Sequence, residues 1–212
     1  MPEGDAVRRL AGTLDELFVG GIVSASSPQG RFTSSAALLD GWVMQRVRVH
    51  GKHMFIGFVP PAPGETYEAG VALLEGAAAG SGEPILGEDA PWPDRWVHIH
   101  LGLYGWWRFN GDETVVDEGH GVAHRIPNVQ KGEWNGHTET RWGEGFGEAK
   151  AGEWEPPEPV GAVRLRVYND HAVADLIGPN RCDLITDEER ITAESKLGPD
   201  PLDAGARSDA EA

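Results

Sequence analysis

The sequence predicts an α+β fold that is mainly β, namely a two-layer antiparallel β-sandwich flanked by an N-terminal and a C-terminal helix. Three observations predict it. An amphipathic stretch opens the chain, short runs of β-branched and aromatic residues fill the middle, and a second helical stretch lies near the end. This order is typical of helices placed beside an antiparallel sheet. With 212 residues, the chain is long enough to bury a hydrophobic core.

The first predicted element is a helix from Glu3 to Phe18. Apolar residues recur there at spacings of three and four, at Val7, Leu10, Leu14 and Leu17. That spacing places them on one helical face. Pro2 suits a helix start, and Gly20-Gly21 suits a helix end.

The strands follow, and a second helix comes after them. Runs of β-branched and aromatic residues bounded by Gly, Pro or Asp predict strands at Ile22–Ala25, Val43–His50, Met54–Val59, Trp96–Leu101 and Trp106–Phe109. Apolar residues alternate with Arg164 and Arg166 between Val163 and Val167, which predicts a strand with a basic exposed face. A helix is predicted from Thr186 to Lys196.

The excess of negative over positive charge lies in three segments of the chain. The chain has 18 Lys and Arg against 34 Asp and Glu, a formal charge of −16. Residues 61–92 contribute −6, residues 128–160 contribute −4 and residues 183–212 contribute −6, so the remainder is neutral. Their composition predicts long surface loops at 61–92 and 128–160 and a disordered tail at 203–212. The acidic average therefore does not exclude a nucleic-acid partner for the neutral remainder.

Cysteine content and hydropathy limit the setting in which the chain works. Cys182 is the sole cysteine, which excludes an internal disulfide and any zinc site built on several cysteines. No apolar run approaches the roughly 18–20 residues of a membrane helix. The N-terminus lacks the pattern of a secretory signal. We therefore expect a cytoplasmic protein with no membrane partner.

The extreme N-terminus offers a reactive amine. If Met1 is removed, Pro2 presents a secondary α-amine, and chain-terminal amines have a pKa near about 7.7–8.0. Much of it is then neutral at physiological pH and able to attack an aldehyde-like carbon, forming an iminium. Glu3 follows directly as a candidate acid. The alternative is that Pro2 only starts the helix.

Further candidates lie beside predicted strands. Lys52, between two strands, can contact a phosphate or move a proton, or it is simply a solvated turn residue. His98 and His100 share one strand face as a possible metal pair, without a third ligand at clear spacing. Leu103 and Tyr104 lie in a tight turn and form either a wedge that fills a gap in a base stack or a hydrophobic plug of the core.

Four motifs in this order resemble the formamidopyrimidine-DNA glycosylase/endonuclease VIII family. They are Met1-Pro-Glu-Gly-Asp5, Gly51-Lys-His53, His100-Leu-Gly-Leu-Tyr-Gly105 and Leu197-Gly-Pro-Asp-Pro-Leu202. The segments 26–32 and 178–182 are similar to the actinobacterial endonuclease VIII branch in particular. The resemblance covers residues 1–60, 95–109 and 163–202. It implies one N-terminal catalytic domain over 1–202, with 61–92 and 128–160 as acidic loop insertions.

The resemblance implies base excision repair of double-stranded DNA that contains oxidised bases or abasic sites. The Pro2 amine would attack C1′ of a flipped-out nucleotide, and Glu3 would act as the general acid. The resulting Schiff base would promote strand scission by elimination. Lys52 would contact phosphate and assist proton transfer.

Other residues would hold the DNA. Leu103 and Tyr104 would fill the void left by the flipped base, and this Leu-Tyr pair favours the branch that acts on oxidised pyrimidines. We expect further DNA contacts from four basic residues, Arg31, His100, Arg164 and Arg166. The protein is expected to act as a monomer associated with the nucleoid.

Two features depart from the family's pattern. Position 6 is Ala6, where many members carry a second glutamate, so one proton-handling group is missing. In the family, a helix–two-turn–helix segment and a zinc or zincless finger follow this domain, and we expect both to be absent from this chain. We therefore expect no cofactor in this chain, with zinc only in the absent finger, and weak DNA affinity and low activity for the chain alone.

Two other interpretations stay open. The chain can be an inactive or weakly binding remnant that keeps the fold but lacks its DNA-clamping half. It can also be a small β-sandwich enzyme that binds a metal ion through His98 and His100. Stoichiometric metal in the purified protein would favour the second of these, because one cysteine cannot build a zinc site without histidines.

Overall fold

Strands supply most of the regular structure, as the sequence predicts. The computed structural model describes residues 3–61, 91–117, 140–142 and 146–198. Its helices are α1 (Glu3–Phe18), α2 (Thr33–Leu39), α3 (Thr114–Asp117) and α4 (Asp187–Ser195). Its strands are β1 (Ile22–Ser26), β2 (Trp42–His50), β3 (His53–Val59), β4 (Arg95–His100), β5 (Trp106–Gly111), β6 (Thr140–Trp142), β7 (Val163–Tyr168), β8 (Ala172–Ile177) and β9 (Arg181–Ile185). The mainly β, α+β class is confirmed.

Strand β1 joins two halves of one nine-stranded sheet. The strand order is β6-β5-β8-β7-β1-β2-β3-β4-β9. Ile22 and Val23 pair with β2, whereas Ser24 to Ser26 pair with β7. The buried apolar side chains of both halves belong to a single hydrophobic cluster. The two predicted layers therefore correspond to these halves, which share one core.

Helix α1 occupies the predicted range and covers this core with the predicted face. Leu10 and Leu14 are fully buried, and α1 packs against β2 and β3. Phe18 is also buried, whereas Leu17 is only partly so. After the helix, Gly20 adopts a φ of 89° and donates its N–H to the carbonyl of Met44 at 2.8 Å. This left-handed turn, which favours glycine, directs the chain into β1.

Helix α4 confirms the second predicted helix and packs against β4. Thr186 caps it in a reciprocal capping box with Glu189. Arg190 is buried and pairs with Asp187 at 2.7 Å and with Glu194 at 2.5 Å. Its guanidinium lies 4.8 Å from the ring centroid of Trp96 in β4. Among the described helices, none is long and apolar enough to cross a membrane.

One edge of the sheet differs from the other strand pairs. Strand β6 pairs with β5 in parallel, whereas the other described pairs are antiparallel, and Thr140–Trp142 forms a strand within the segment predicted as a loop insertion. Within the second predicted insertion, the Gly147 N–H also donates to the Gly111 carbonyl at 2.9 Å. The edge of β5 explains both contacts, since its backbone groups need partners. Within the predicted insertions, residues 62–90, 128–139 and 143–145 lie outside the described residues. The predicted tail at 203–212 also lies outside them.

The buried face of α1 predicts a sharp contrast between two identical substitutions. Leu10→Ala should lower the free energy of unfolding by about 2–5 kcal/mol, because it removes a fully buried side chain from the core. Leu103→Ala removes a side chain that is 78 % exposed and should change it by no more than about 0.5 kcal/mol. Urea unfolding of both variants measures the difference, and equal losses would contradict the assigned core.

Candidate nucleic-acid interface

The turn between β2 and β3 presents Lys52 to solvent. Gly51 and Lys52 form the turn, and His50 and His53 pair across it. Gly51 has a φ of 57°, and nothing lies within 4 Å of where its Cβ would be, so backbone conformation rather than space calls for glycine. The short hairpin therefore holds an exposed lysine at the end of two paired strands.

The turn between β4 and β5 projects two large side chains outward. The Gly105 N–H donates to the Leu101 carbonyl at 3.0 Å and closes the turn. A Cβ on Gly105 would overlap that same carbonyl. Leu103 is 78 % exposed and Tyr104 is 81 % exposed. The interpretation of this turn as a plug of the core is therefore wrong, and the shape is that of an apolar wedge.

A third turn supports the wedge from beside it. Gly178 and Asn180 lie between β8 and β9, and a Cβ on Gly102 would overlap the Asn180 side chain. A Cβ on Gly178 would come within 3.3 Å of the Tyr104 carbonyl. The two turns are thus in close contact, which requires glycine on both sides.

Strand pairing brings these turns to one end of the sheet. His50 pairs with His53, His53 with His100, and His100 with Arg181, so four basic side chains follow one another across β2, β3, β4 and β9. We call these four residues the basic row. It begins beside Lys52 and ends beside the turn that supports the wedge, so the lysine, the wedge and the basic row share one end of the sheet.

Behind the basic row lies a second row formed by Phe55, His98 and Asp183. The His53 Nδ1 and His98 Nε2 atoms are 2.8 Å apart and share a hydrogen bond. Phe55 stacks on the His98 ring with centroids 4.3 Å apart. Asp183 accepts a hydrogen bond from Arg181 at 2.7 Å. The imidazoles therefore sit between an apolar ring and a bound guanidinium.

This environment keeps the imidazoles neutral. Burial, followed by the charges of His100, Arg181 and His50, lowers the pKa of His53 to about 4. Burial and the Arg181 charge lower the pKa of His98 to about 4 as well. The pKa of His100 is lowered by burial and by the Lys52 charge. Lys52 and Arg181 are the cations whose charges act on these imidazoles.

His98 and His100 are the candidate metal pair. His98 Nε2 is occupied by the hydrogen bond to His53, and within the described ranges no group of three or more His, Cys, Asp or Glu is arranged to hold a metal ion. The pairing of His98 and His100 as metal ligands is therefore not supported by the geometry. His50 also has a protein partner, because its Nε2 donates to the Gly198 carbonyl at 2.7 Å.

The start of β7 adds a basic region at the same end. Trp106, Ile177 and Val163 lie side by side across β5, β8 and β7, and Trp106 directly follows the wedge turn. The turn that contains Arg31 is fixed there, because the Gln29 N–H donates to the Val163 carbonyl at 2.9 Å. Arg164 donates to the Gln29 side chain at 2.9 Å, and Arg31 is exposed.

Comparison with known proteins identifies the relationship by sequence. The chain is 32 % identical over 210 residues to the proteins named Endonuclease 8 1 of Mycobacterium tuberculosis and Mycobacterium bovis, which covers 99 % of this chain and 50 % of each relative. This similarity supports the resemblance to the formamidopyrimidine-DNA glycosylase/endonuclease VIII family. It spans about half the length of the curated relatives that it matches. No protein-family model matches the chain.

Solved structures similar to the chain include complexes of Lactococcus lactis Fpg. The wild-type Fpg (MutM) bound to DNA containing N7-benzyl-Fapy-dG aligns with a TM-score of 0.46 and 14 % identity, over 92 % of this chain and 46 % of that chain. The complex of the same enzyme with DNA containing an abasic site aligns with a TM-score of 0.46 over 92 % of this chain and 47 % of that chain.

The expectation that Arg166 contacts DNA is wrong, because its side chain is buried. Arg166 is 6 % exposed, its guanidinium lies 3.6 Å from the Asp175 carboxylate, and it donates to the Pro157 carbonyl. Asp175 lies directly opposite Arg166 in β8, and Arg108 also approaches it at 3.3 Å. Burial raises the pKa of Asp175, against the effect of both arginines. The basic exposed face predicted for β7 is therefore wrong at Arg166, which stabilises the fold instead.

The structure brings the other site residues that the resemblance implies into two groups. Lys52, His100, Leu103 and Tyr104 lie together at one end, and Arg31 and Arg164 lie beside the start of β7. Pro2 lies outside the described residues, and Glu3 is described only as the first residue of α1. Sequence reasoning missed His53 and Arg181. His53 could have been found from its position next to Lys52, whereas Arg181 depends on β9, which was not predicted.

The lowered imidazole pKa values predict an acid-sensitive fold. In the unfolded chain, histidines bind protons below about pH 6.5, whereas His53 and His98 in the folded chain do so only near pH 4. The unfolded state therefore binds more protons in this window, and the free energy of unfolding should fall as the pH drops from 6.5 towards 4.

Urea unfolding midpoints at pH 7 and pH 5 measure this loss. His53→Asn removes one of the two groups and should make the loss smaller than in the unmodified chain. Leu103→Ala removes an exposed apolar side chain and no titratable group, and it should leave the loss unchanged. An equal loss in the unmodified chain and in the His53 variant would contradict the assignment.

Proposed function

We propose that this chain carries the catalytic part of a DNA glycosylase with apurinic/apyrimidinic lyase activity that acts in base excision repair. The observation that carries the proposal is the convergence of an exposed lysine, an exposed Leu-Tyr wedge and a row of basic side chains at one end of one sheet. A wedge between bases and cations for phosphates are the two things that a base-flipping enzyme needs. The kinship with proteins named Endonuclease 8 1 supports the same assignment.

In this proposal the nucleophile is the α-amine of Pro2 after removal of Met1. Its nitrogen lone pair forms a bond to C1′ of the damaged nucleotide as the glycosidic bond breaks, and the base leaves with the electrons of the broken bond and takes up a proton. Loss of the amine proton leaves an aminal at C1′. The Glu3 carboxyl group acts as the general acid and protonates O4′ as the C1′–O4′ bond opens, which gives the iminium. Loss of a proton from C2′ then expels the 3′ phosphate by elimination.

The course of α1 supports the place of this amine. The helix ends where Gly20 contacts Met44, near the start of β2, and it packs against β2 and β3. Its 16 residues extend about 24 Å, which is comparable to the length of β2. We propose that α1 runs back along β2, so that its N-terminus approaches Lys52 and the basic row.

The remaining roles follow from exposure and charge. We propose that Lys52 contacts a phosphate and assists proton transfer, and that Leu103 and Tyr104 fill the space of the flipped base. Arg31, Arg164 and His100 add contacts to the backbone of the duplex. Oxidised pyrimidines are the proposed substrates, and the protein is proposed to act as a monomer at the nucleoid.

Borohydride trapping on a duplex with thymine glycol or an abasic site tests the nucleophile. After mass spectrometry shows that Met1 is absent, the chain in excess at low salt should give a covalent protein–DNA adduct. Pro2→Gly replaces the secondary amine and should abolish it. No adduct from a folded chain that begins at Pro2, or an equal adduct from the variant, would contradict the mechanism.

Lys52 and the wedge have separable effects in single-turnover assays. Lys52→Ala should lower the rate of strand scission by about 100-fold, the range of a lost acid–base group. Tyr104→Ala should weaken binding of the lesion duplex by about tenfold, the range of one lost stacking partner. Ile191→Ala, in an exposed apolar residue of α4, is the matched control and should change neither quantity. A change of scission rate with Ile191→Ala equal to that with Lys52→Ala would refute the specific role of the lysine.

A further inference from the structure

We propose that the basic row, together with Lys52, binds a phosphodiester of the DNA backbone and that His53 takes up a proton from solvent when it does so. The inference rests on the proposed function and adds a regulation of the same site by pH. It assigns a ligand to His53 and Arg181, which the motifs do not assign.

The ring of His53 lies against two other imidazoles. Its Nδ1 lies 2.8 Å from His98 Nε2, and the His53 and His100 ring centroids are 4.6 Å apart. A protonated His53 carries hydrogens on both ring nitrogens. Nδ1–H then donates to His98 Nε2, and Nε2–H is left to donate to an acceptor. A phosphate oxygen is an acceptor of the required charge.

Charged groups of both signs lie around this ring. Arg48 and His50 on β2, Lys52 in the turn, His98 and His100 on β4 and Arg181 on β9 are basic, whereas Asp183 on β9 and Glu194 on α4 are acidic. Asp183 is bound by Arg181 at 2.7 Å, and Glu194 is bound by Arg190 at 2.5 Å and lies 3.5 Å from Arg48. In the part of the chain that the structure describes, both carboxylates named here are therefore already paired with arginines.

An added anion acts on this balance of charge. In the free chain, burial and the neighbouring positive charges hold the pKa of His53 at about 4. A phosphate placed between Lys52 and Arg181 offsets the charges that oppose protonation, so the pKa of His53 rises on binding. Linkage is reciprocal, and a lower pH must therefore tighten the binding of DNA.

The experiment measures the affinity of the full chain for a duplex with a tetrahydrofuran abasic-site analogue. Fluorescence anisotropy is recorded from pH 7.5 to pH 5.5 at constant low ionic strength. Uptake of one proton should tighten Kd by up to about tenfold per pH unit. His53→Asn keeps a group that can bond to His98 but cannot become charged, and it should remove most of this slope.

The control is His171→Asn, a histidine whose Nδ1 lies 2.8 Å from buried Asp112 in the other half of the sheet. Asparagine can keep that hydrogen bond, and this variant should retain the full slope. Circular dichroism of both variants checks that they fold. In the unmodified chain, the NMR titration of the His53 ring protons should show a higher pKa with the duplex present.

The outcomes separate the two proposals. Binding without a pH slope, or an equal slope in His53→Asn, overturns proton uptake and leaves the DNA-binding proposal standing. A His53 pKa that does not change with the duplex also overturns proton uptake. No binding at any pH overturns this inference together with the proposed function.

Discussion

The antiparallel register of β2, β3, β4 and β9 is the constraint on which the candidate site depends. Facing residues of an antiparallel pair have Cβ atoms about 4.5–5.5 Å apart, so His50, His53, His100 and Arg181 must be neighbours once the strands pair as they do. A slip of one residue would turn the row towards the core. The same register brings Lys52 and the Leu-Tyr wedge to one end, although they lie far apart in the sequence.

A chain with a charge of −16 can still present a surface for an anion, because charge is distributed locally. Several carboxylates in the described part are bound by arginines: Asp183 by Arg181, Asp175 by Arg166 and Arg108, and Asp187 by Arg190. The hydrogen bond from Arg190 holds the pKa of Asp187 low although burial acts to raise it. These carboxylates are thus paired with arginines, whereas Lys52 is exposed beside the basic row.

Elements with a regular local sequence pattern could be predicted, whereas elements and residues defined by strand pairing could not. Helix α1 has a regular apolar spacing, and α4 has a capping box, so both were predictable. Strand β8 is buried at every position and shows no alternation, so its pattern carries no period. Arg166 was misread for the same reason, since only the pairing with β8 reveals Asp175 opposite it. Arg164, in the same strand, fits the predicted alternation of apolar and basic residues.

Two histidine pairs in this fold differ in how fully their polar atoms are hydrogen-bonded. Asp112 is fully buried and satisfied, since it accepts hydrogen bonds from His171 and from Thr114, and this pair fixes a turn. Behind the basic row, by contrast, His98 Nδ1 is buried without a hydrogen-bond partner among the described residues, and positively charged groups surround His53 of the row. Apolar side chains there would stabilise the sheet more. An unpaired buried nitrogen beside neighbouring positive charges is typical of a functional site rather than of a stabilising one.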